Sequence, residues 1–413
     1  MRFHRSFFVY AAAFLLIVLS GCSTTHSDSN ASEAPPSAPQ PVVHEQPAAD
    51  QIADLVASMS LSEKIGQMVL VGMDGTEVQP EISSLIKERQ VGGIILYSNN
   101  IVSASQTNKL VNELKQINHD AGGKLPLLLS TDQEGGRVSR LPKEITPFPA
   151  SKTVGSTKDT KYAYQVGAAL GEAMNAVGLN TDFAPVLDVN TNANNPVIGD
   201  RAFGTTVKVV SSMGVNEMLG IMSQGVIPAV KHFPGHGDTS VDSHFGLPVV
   251  NHDLQRLRSI EFVPFGSAIK EGAPIVMVGH ILMSKLDPNT PASMSRTVIQ
   301  NYLRGELKFD GVVITDDMTM GAVEKFKAIG PASVQAVLAG SDIVLVGHDL
   351  TQQQAVLNAL MTAAKSGKIP QSVIDASVYR IAKLKQSFDL SDQPTSLADV
   401  STLNQHIQAA LKR

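Results

Sequence analysis

Eight short, wholly apolar runs recur along this chain, separated by longer amphipathic stretches. The runs lie at 68–71, 93–96, 127–129, 183–186, 227–230, 275–278, 312–314 and 343–346. A strand that is apolar at every position has no face left for water, so its sheet must be covered on both sides. Strand–helix alternation provides that cover and makes the sheet parallel. Helices are expected over 104–117, 162–177, 207–223, 254–270 and 352–365, with a closing helix over 370–385. Eight such units predict an α/β fold of the closed (β/α)8 TIM-barrel type rather than an open doubly wound sheet. The barrel is expected to be a single catalytic domain over 51–388. Residues 389–413 read as a polar extension that forms a short helix across the barrel.

The polar, chemically capable residues follow the strands rather than precede them. Asp132-Gln133-Glu134-Gly135-Gly136 follows the third run, Asp188 the fourth and Lys231-His232 the fifth. His280 follows the sixth, Asp316-Asp317 the seventh and His348-Asp349 the eighth. Barrel enzymes carry their catalytic groups on that C-terminal face.

The first 50 residues have a different character. Arg2, His4 and Arg5 precede an apolar segment over 7–19, and Leu19-Ser20-Gly21-Cys22 follows. The apolar segment is short for a membrane span. The pattern predicts a lipoprotein signal peptide over 1–21, cleavage before Cys22 and lipidation of Cys22. An ordinary signal peptide with a chance cysteine is the alternative. Cys22 is the sole cysteine of the 413 residues, so an exported form has no internal disulfide. Residues 22–50 are rich in Ser, Pro, Ala, Asn and Gln and read as a disordered tether. The expected location is the cell envelope, with membrane contact through the lipid alone. A formal net charge of −5 without a basic stripe gives no footing for nucleic acid. The chain has no tryptophan, so stacking of a ligand on indole is excluded and recognition must rest mainly on hydrogen bonds.

The densest chemistry lies in Lys231-His232-Phe233-Pro234-Gly235-His236-Gly237-Asp238-Thr239-Ser240-Val241-Asp242-Ser243-His244. A loop histidine titrates near neutral pH and can exchange a proton with a leaving group. Asp242, two residues before His244, can hold that imidazole in one tautomer. The plain alternative is a polar loop that caps its own backbone. A metal reading would use His232, His236, Asp238 and His244. Against it, no His-x-x-x-His lies on a helix, there is no cysteine pair, and Val71-Gly72-Met73-Asp74 stands where an amidohydrolase would have His-x-His. No metal and no cofactor are expected.

Three further segments stand out. In Ile314-Thr315-Asp316-Asp317-Met318, consecutive strand residues point to opposite sides, so one carboxylate faces the barrel axis as a candidate nucleophile. The other is left to cap the next helix. In the segment Asp132 to Arg140, two glycines allow close backbone approach to a ligand, or simply make a turn. In Asn195 to Gly204, Arg201 can form a salt bridge or donate into the site.

Taken together, these blocks resemble family 3 glycoside hydrolases, in the β-N-acetylglucosaminidase branch. The resemblance runs over about residues 50–388 and rests on the Lys231–His244 block with DQEGGRVSR, NPVIGDRAFG and ITDDM in order. It implies Asp316 as nucleophile, His244 as general acid/base and Asp242 as its dyad partner. It implies Asp132, Arg140, Arg201, Lys231 and His232 as sugar-binding residues. The implied reaction is retaining, exo-acting removal of terminal β-linked GlcNAc from oligosaccharides or muropeptides, as in cell-wall turnover, by a monomer. Phosphorolytic transfer and non-catalytic sugar binding are the alternatives. Many family members carry further domains after the barrel, and this chain is expected to end with it.

Overall fold

Each apolar run marks a strand of one parallel sheet. The computed structural model describes residues 50–240 and 246–412. The barrel strands are β1 Val69–Gly72, β2 Gly93–Ile95, β3 Leu128–Thr131, β4 Thr181–Asp182, β5 Ile227–Phe233, β6 Ile275–Val278, β7 Val312–Thr315 and β8 Val344–Val346. Neighbours pair in chain order from β1 to β7, and β8 pairs with β1 in register Val69 with Val344. A parallel bridge between Ile314 and Ile343 joins β7 to β8 and closes the ring. Every residue of these strands is buried, as strands without a polar face require.

The fourth strand departs from expectation. It occupies Thr181–Asp182, just before the run 183–186. Pro185 has no N–H to give to a ladder. Its carbonyl accepts from Lys231 N, and pairing resumes as a bridge between Val186 and Lys231. The expected helix 254–270 is two helices, Leu254–Ser259 and Phe262–Lys270. Pro264 is the cause, because its ring would clash with the carbonyl of Ile260 four residues back. The helices Ala104–Asp120, Thr160–Ala176, Val207–Ser223, Leu350–Lys365 and Gln371–Ser387 lie close to the predicted ranges.

Side-chain caps set several helix starts. Ser103 accepts from Gln106 N, Asp159 from Lys161 N and Tyr162 N, and Ser60 forms a reciprocal capping box with Glu63. Each such cap contributes about 1 kcal/mol. Helices Thr160–Ala176 and Val207–Ser223 pack closely where Gly167 meets the backbone oxygen of Glu217, an approach that a Cβ would block.

The C-terminal segment runs along the outer helices rather than across the barrel. Asn118 Nδ2 donates to Asp392 at 2.6 Å and Lys115 Nζ donates to Thr395 Oγ1 at 2.6 Å. Helix Val400–Leu411 buries Leu403 and Ile407 and packs on Thr160–Ala176. At the base of the barrel, Lys385 Nζ donates to Gln67 Oε1 and Gly92 O, both at 2.8 Å. Burial pushes the Lys385 ammonium down to about 7.

Candidate active site

The C-terminal ends of the strands surround a cavity of about 320 Å³. Lys231, near the end of β5, is its buried centre. Its ammonium meets Asp132 Oδ1 at 2.5 Å and Glu134 Oε1 at 2.7 Å, both from the loop after β3. Burial works against the Lys231 charge, but Asp132 and Glu134 outweigh it and hold its pKa above the ordinary lysine value. Arg201, from a short 3-10 turn over Gly199–Arg201, binds Glu134 through two parallel bonds of 2.7 Å. Burial would raise the Glu134 pKa, yet Arg201 and Lys231 together hold it well below the usual carboxylate range. The result is one continuous charged network at the ends of β3 and β5. Removing one partner from such a buried network costs about 3–5 kcal/mol.

His232 extends the network toward β4. Its Nδ1 donates to Asp188 Oδ2 at 2.7 Å, and its Nε2 lies 3.3 Å from Arg201 Nη2. Asp188 Oδ1 also accepts from His236 N at 2.7 Å, so one carboxylate anchors both ends of the Phe233-Pro234-Gly235 turn. Burial would raise the Asp188 pKa, and His232 with its bonds lowers it. Burial pushes the His236 imidazole down to about 4, with His232 adding to the effect. His236 Nδ1 lies 2.6 Å from Thr239 Oγ1, and Asp238 accepts from His252 Nε2 at 2.6 Å. These bonds tie the start of the loop to its surroundings.

The two aspartates after β7 divide by partner. Asp317 Oδ1 accepts from Thr319 N, Thr319 Oγ1 and Gly347 N, and its Oδ2 accepts from Tyr97 OH at 3.3 Å. It caps a turn and ties β7 to β8; the helix that follows has Met320, not Asp317, at its N-cap. Asp316 accepts from Asp317 N through Oδ1 alone among the described residues, which leaves Oδ2 for a ligand. Burial would raise its pKa, but His232, His280 and Lys231 bring it below the ordinary value. His280, fully buried, lies 2.9 Å from Asp317 O through Nε2 and 2.7 Å from Ser293 Oγ through Nδ1, fixing the peptide behind Asp316. Gly347 lets Tyr97 and Asp317 come close; a Cβ there would strike both side chains.

Asp132, Arg140, Arg201, Lys231, His232 and Asp316 all line this one cavity. Arg140 sits at the rim, its backbone N donating to Gln133 Oε1 at 2.7 Å. Asp242 and His244, and likewise Cys22, lie outside the described residues. Glu134, Tyr97 and His348 also line the cavity, and the sequence reading gave them no role. Tyr97 and His348 stack with ring centroids 4.5 Å apart, an aromatic wall supplied without tryptophan.

Comparison with known proteins gives four findings. The profile described as Glycosyl hydrolase family 3 N terminal domain matches residues 60–384. Beta-hexosaminidase A of Pseudoalteromonas piscicida is 36% identical over 350 residues, which cover 79% of this chain and 58% of that protein. Beta-hexosaminidase LpqI of Mycobacterium tuberculosis is 34% identical over 396 residues, 93% of this chain and 98% of that protein. Among solved structures, a family 3 β-N-acetylglucosaminidase from Paenibacillus sp. is 41% identical with a TM-score of 0.80, covering 86% of this chain and 68% of that one.

Two buried acids back the charged network. Asp182 Oδ1 accepts from Gln133 N at 2.9 Å, while Asp182 Oδ2 and Glu217 Oε1 have no hydrogen-bond partner among the described residues. Burial raises both carboxyls well above their ordinary values, and for Glu217 the nearby Asp182 adds to it. The folded protein therefore keeps a Glu217 proton that the unfolded chain releases. That stability is complete below the unfolded pKa and is lost as pH rises through the folded one. Glu217→Gln carries no such proton. Urea unfolding should show the variant gaining stability relative to wild type as pH rises above the ordinary glutamate value of 4.5. A difference that stays constant with pH would contradict a protonated Glu217.

Proposed function

The chain belongs to glycosyl hydrolase family 3, and on that premise we propose that it is a retaining, exo-acting β-N-acetylglucosaminidase. The observation that carries this reading is Asp316, an ionised carboxylate with one oxygen unbonded, facing a cavity it shares with the Lys231 network. The relatives named β-hexosaminidase and β-N-acetylglucosaminidase support the choice of sugar. A cavity near the lower end of the usual range of about 300–1,000 Å³ suits a single terminal sugar.

On this reading Asp132, Arg140, Arg201, Lys231 and His232 hold the sugar hydroxyls. Asp316 attacks the anomeric carbon as the glycosidic C–O bond breaks, and His244 gives its proton to the departing oxygen. Water then attacks the glycosyl ester, His244 removes the water's proton, and Asp316 leaves. Two inversions give net retention. Asp242 favours the cationic state of His244, the role that a third group has in a catalytic triad. His244 and Asp242 are assigned from the sequence block alone.

The natural substrate we propose is a peptidoglycan fragment ending in GlcNAc. The export and the lipidation at Cys22 that the N-terminal sequence pattern predicts would put the enzyme beside its polymer. Cys22→Ser should shift the protein from the membrane to the soluble fraction, and unchanged membrane retention would count against the anchor.

Asp316→Asn should abolish nitrophenol release from the β-GlcNAc aryl glycoside, and full activity in that variant would sink the nucleophile assignment. His244→Ala should lower kcat/KM by about 10²–10⁴-fold on glycosides with poor leaving groups. It should affect activated aryl glycosides far less, because only poor leaving groups need the proton. An equal loss on both classes would contradict the acid role.

A further inference from the structure

The loop after β3 turns back on itself, and one buried side chain holds its two arms together. Glu134 N donates to Val138 O at 3.0 Å, and Gly135 and Gly136, both at positive φ, make the turn between them. Asp132 and Glu134 both reach Lys231. Gln133, between them, projects to the other side, as alternation along an extended chain requires. There it meets the returning arm, Ser139-Arg140-Leu141.

Gln133 is fully buried and does not line the cavity. Its Oε1 accepts from Arg140 N at 2.7 Å, Leu141 N at 3.1 Å and Ser139 Oγ at 3.2 Å. The two backbone donors settle the amide's orientation, because a flip would set its NH2 against two N–H groups. Its own backbone N donates to Asp182 Oδ1 at 2.9 Å, which ties the loop to β4.

What Gln133 holds is an arginine left free for a ligand. Of the lysine and arginine side chains that line the cavity, Lys231 and Arg201 are spent on Asp132 and Glu134. Arg137, in the same turn, pairs with Asp200 and donates to Val197 O and Ile198 O. None of the ion pairs among the described residues includes Arg140. Its guanidinium reaches the adjacent Ser139 O at 3.5 Å, a weak contact. A side chain so lightly held takes its direction from its backbone, and Gln133 fixes that backbone.

We propose that Gln133 is a positioning residue for sugar binding. It stays off the substrate and acts by presenting Arg140 at the rim of the cavity, in register with Asp132 and Lys231. The inference rests on the glycosidase reading above.

Gln133→Met keeps the volume and removes the acceptor. On the β-GlcNAc aryl glycoside it should lower kcat/KM about ten- to a hundredfold. Most of the loss should appear in KM, because Arg140 grips the sugar in ground state and transition state alike. In an Arg140→Ala background the same substitution should cost less than about twofold, since the group it positions is gone. A loss of equal size in both backgrounds, as a general disturbance of the barrel would give, overturns the proposal. So does a loss confined to kcat, or wild-type kinetics in Gln133→Met. If Gln133→Met does not fold, Ser139→Ala takes its place in the cycle, since it removes one of the three donors. Its expected loss is about two- to tenfold, again absent without Arg140; an equal loss in both backgrounds, or none in either, overturns the proposal. Failure of wild type to cleave the aryl glycoside would overturn the glycosidase reading instead, and this inference with it.

Discussion

The Lys231 ammonium is only 2% exposed. In a site that dry, an uncompensated charge would cost several kcal/mol. Asp132 and Glu134 supply the compensation, and Arg201 in turn neutralises Glu134. The ends of β3 and β5 and the segment after β4 are therefore locked together by charge before any substrate arrives. A polar site preorganised in this way does not have to reorganise during reaction, which is where electrostatic catalysis gains most. His232 and Asp188 continue the lock to the base of the loop that leads toward Asp242 and His244.

Much of the architecture was legible because buried parallel strands leave so plain a mark. Seven runs fell on their strands, and the order of units gave the barrel. Two of the departures trace to proline. Pro185 removed a donor and moved the fourth strand to Thr181–Asp182, and Pro264 split one expected helix at Ile260. The C-terminal helix read as polar because only Leu403 and Ile407 are buried, too sparse a stripe to announce packing against the outer helices.

The site was legible in part. The strand-end rule pointed to Asp132, Lys231, His232 and Asp316, and the family resemblance added Arg201; all five line one cavity. Alternation along β7 could say that Asp316 and Asp317 differ, but not which faces the ligand. Their bonds separate them, since Asp317 is spent on Thr319, Gly347 and Tyr97. Glu134 lay inside a quoted motif and was passed over, although its two-residue spacing from Asp132 could have suggested a shared cation. Tyr97 and His348 gave no such signal: they are 251 residues apart, and only ring closure between β8 and β1 brings β2 near enough for them to stack.

The proposed reaction requires Asp316, and not its neighbour, to be the group free for covalent chemistry. Trapping the enzyme with a 5-fluoro β-GlcNAc fluoride and mapping the labelled peptide by mass spectrometry tests this most directly. A single glycosyl ester on Asp316 is expected. A label on Asp317, or no covalent adduct together with release of the α-anomer as first product, would contradict it.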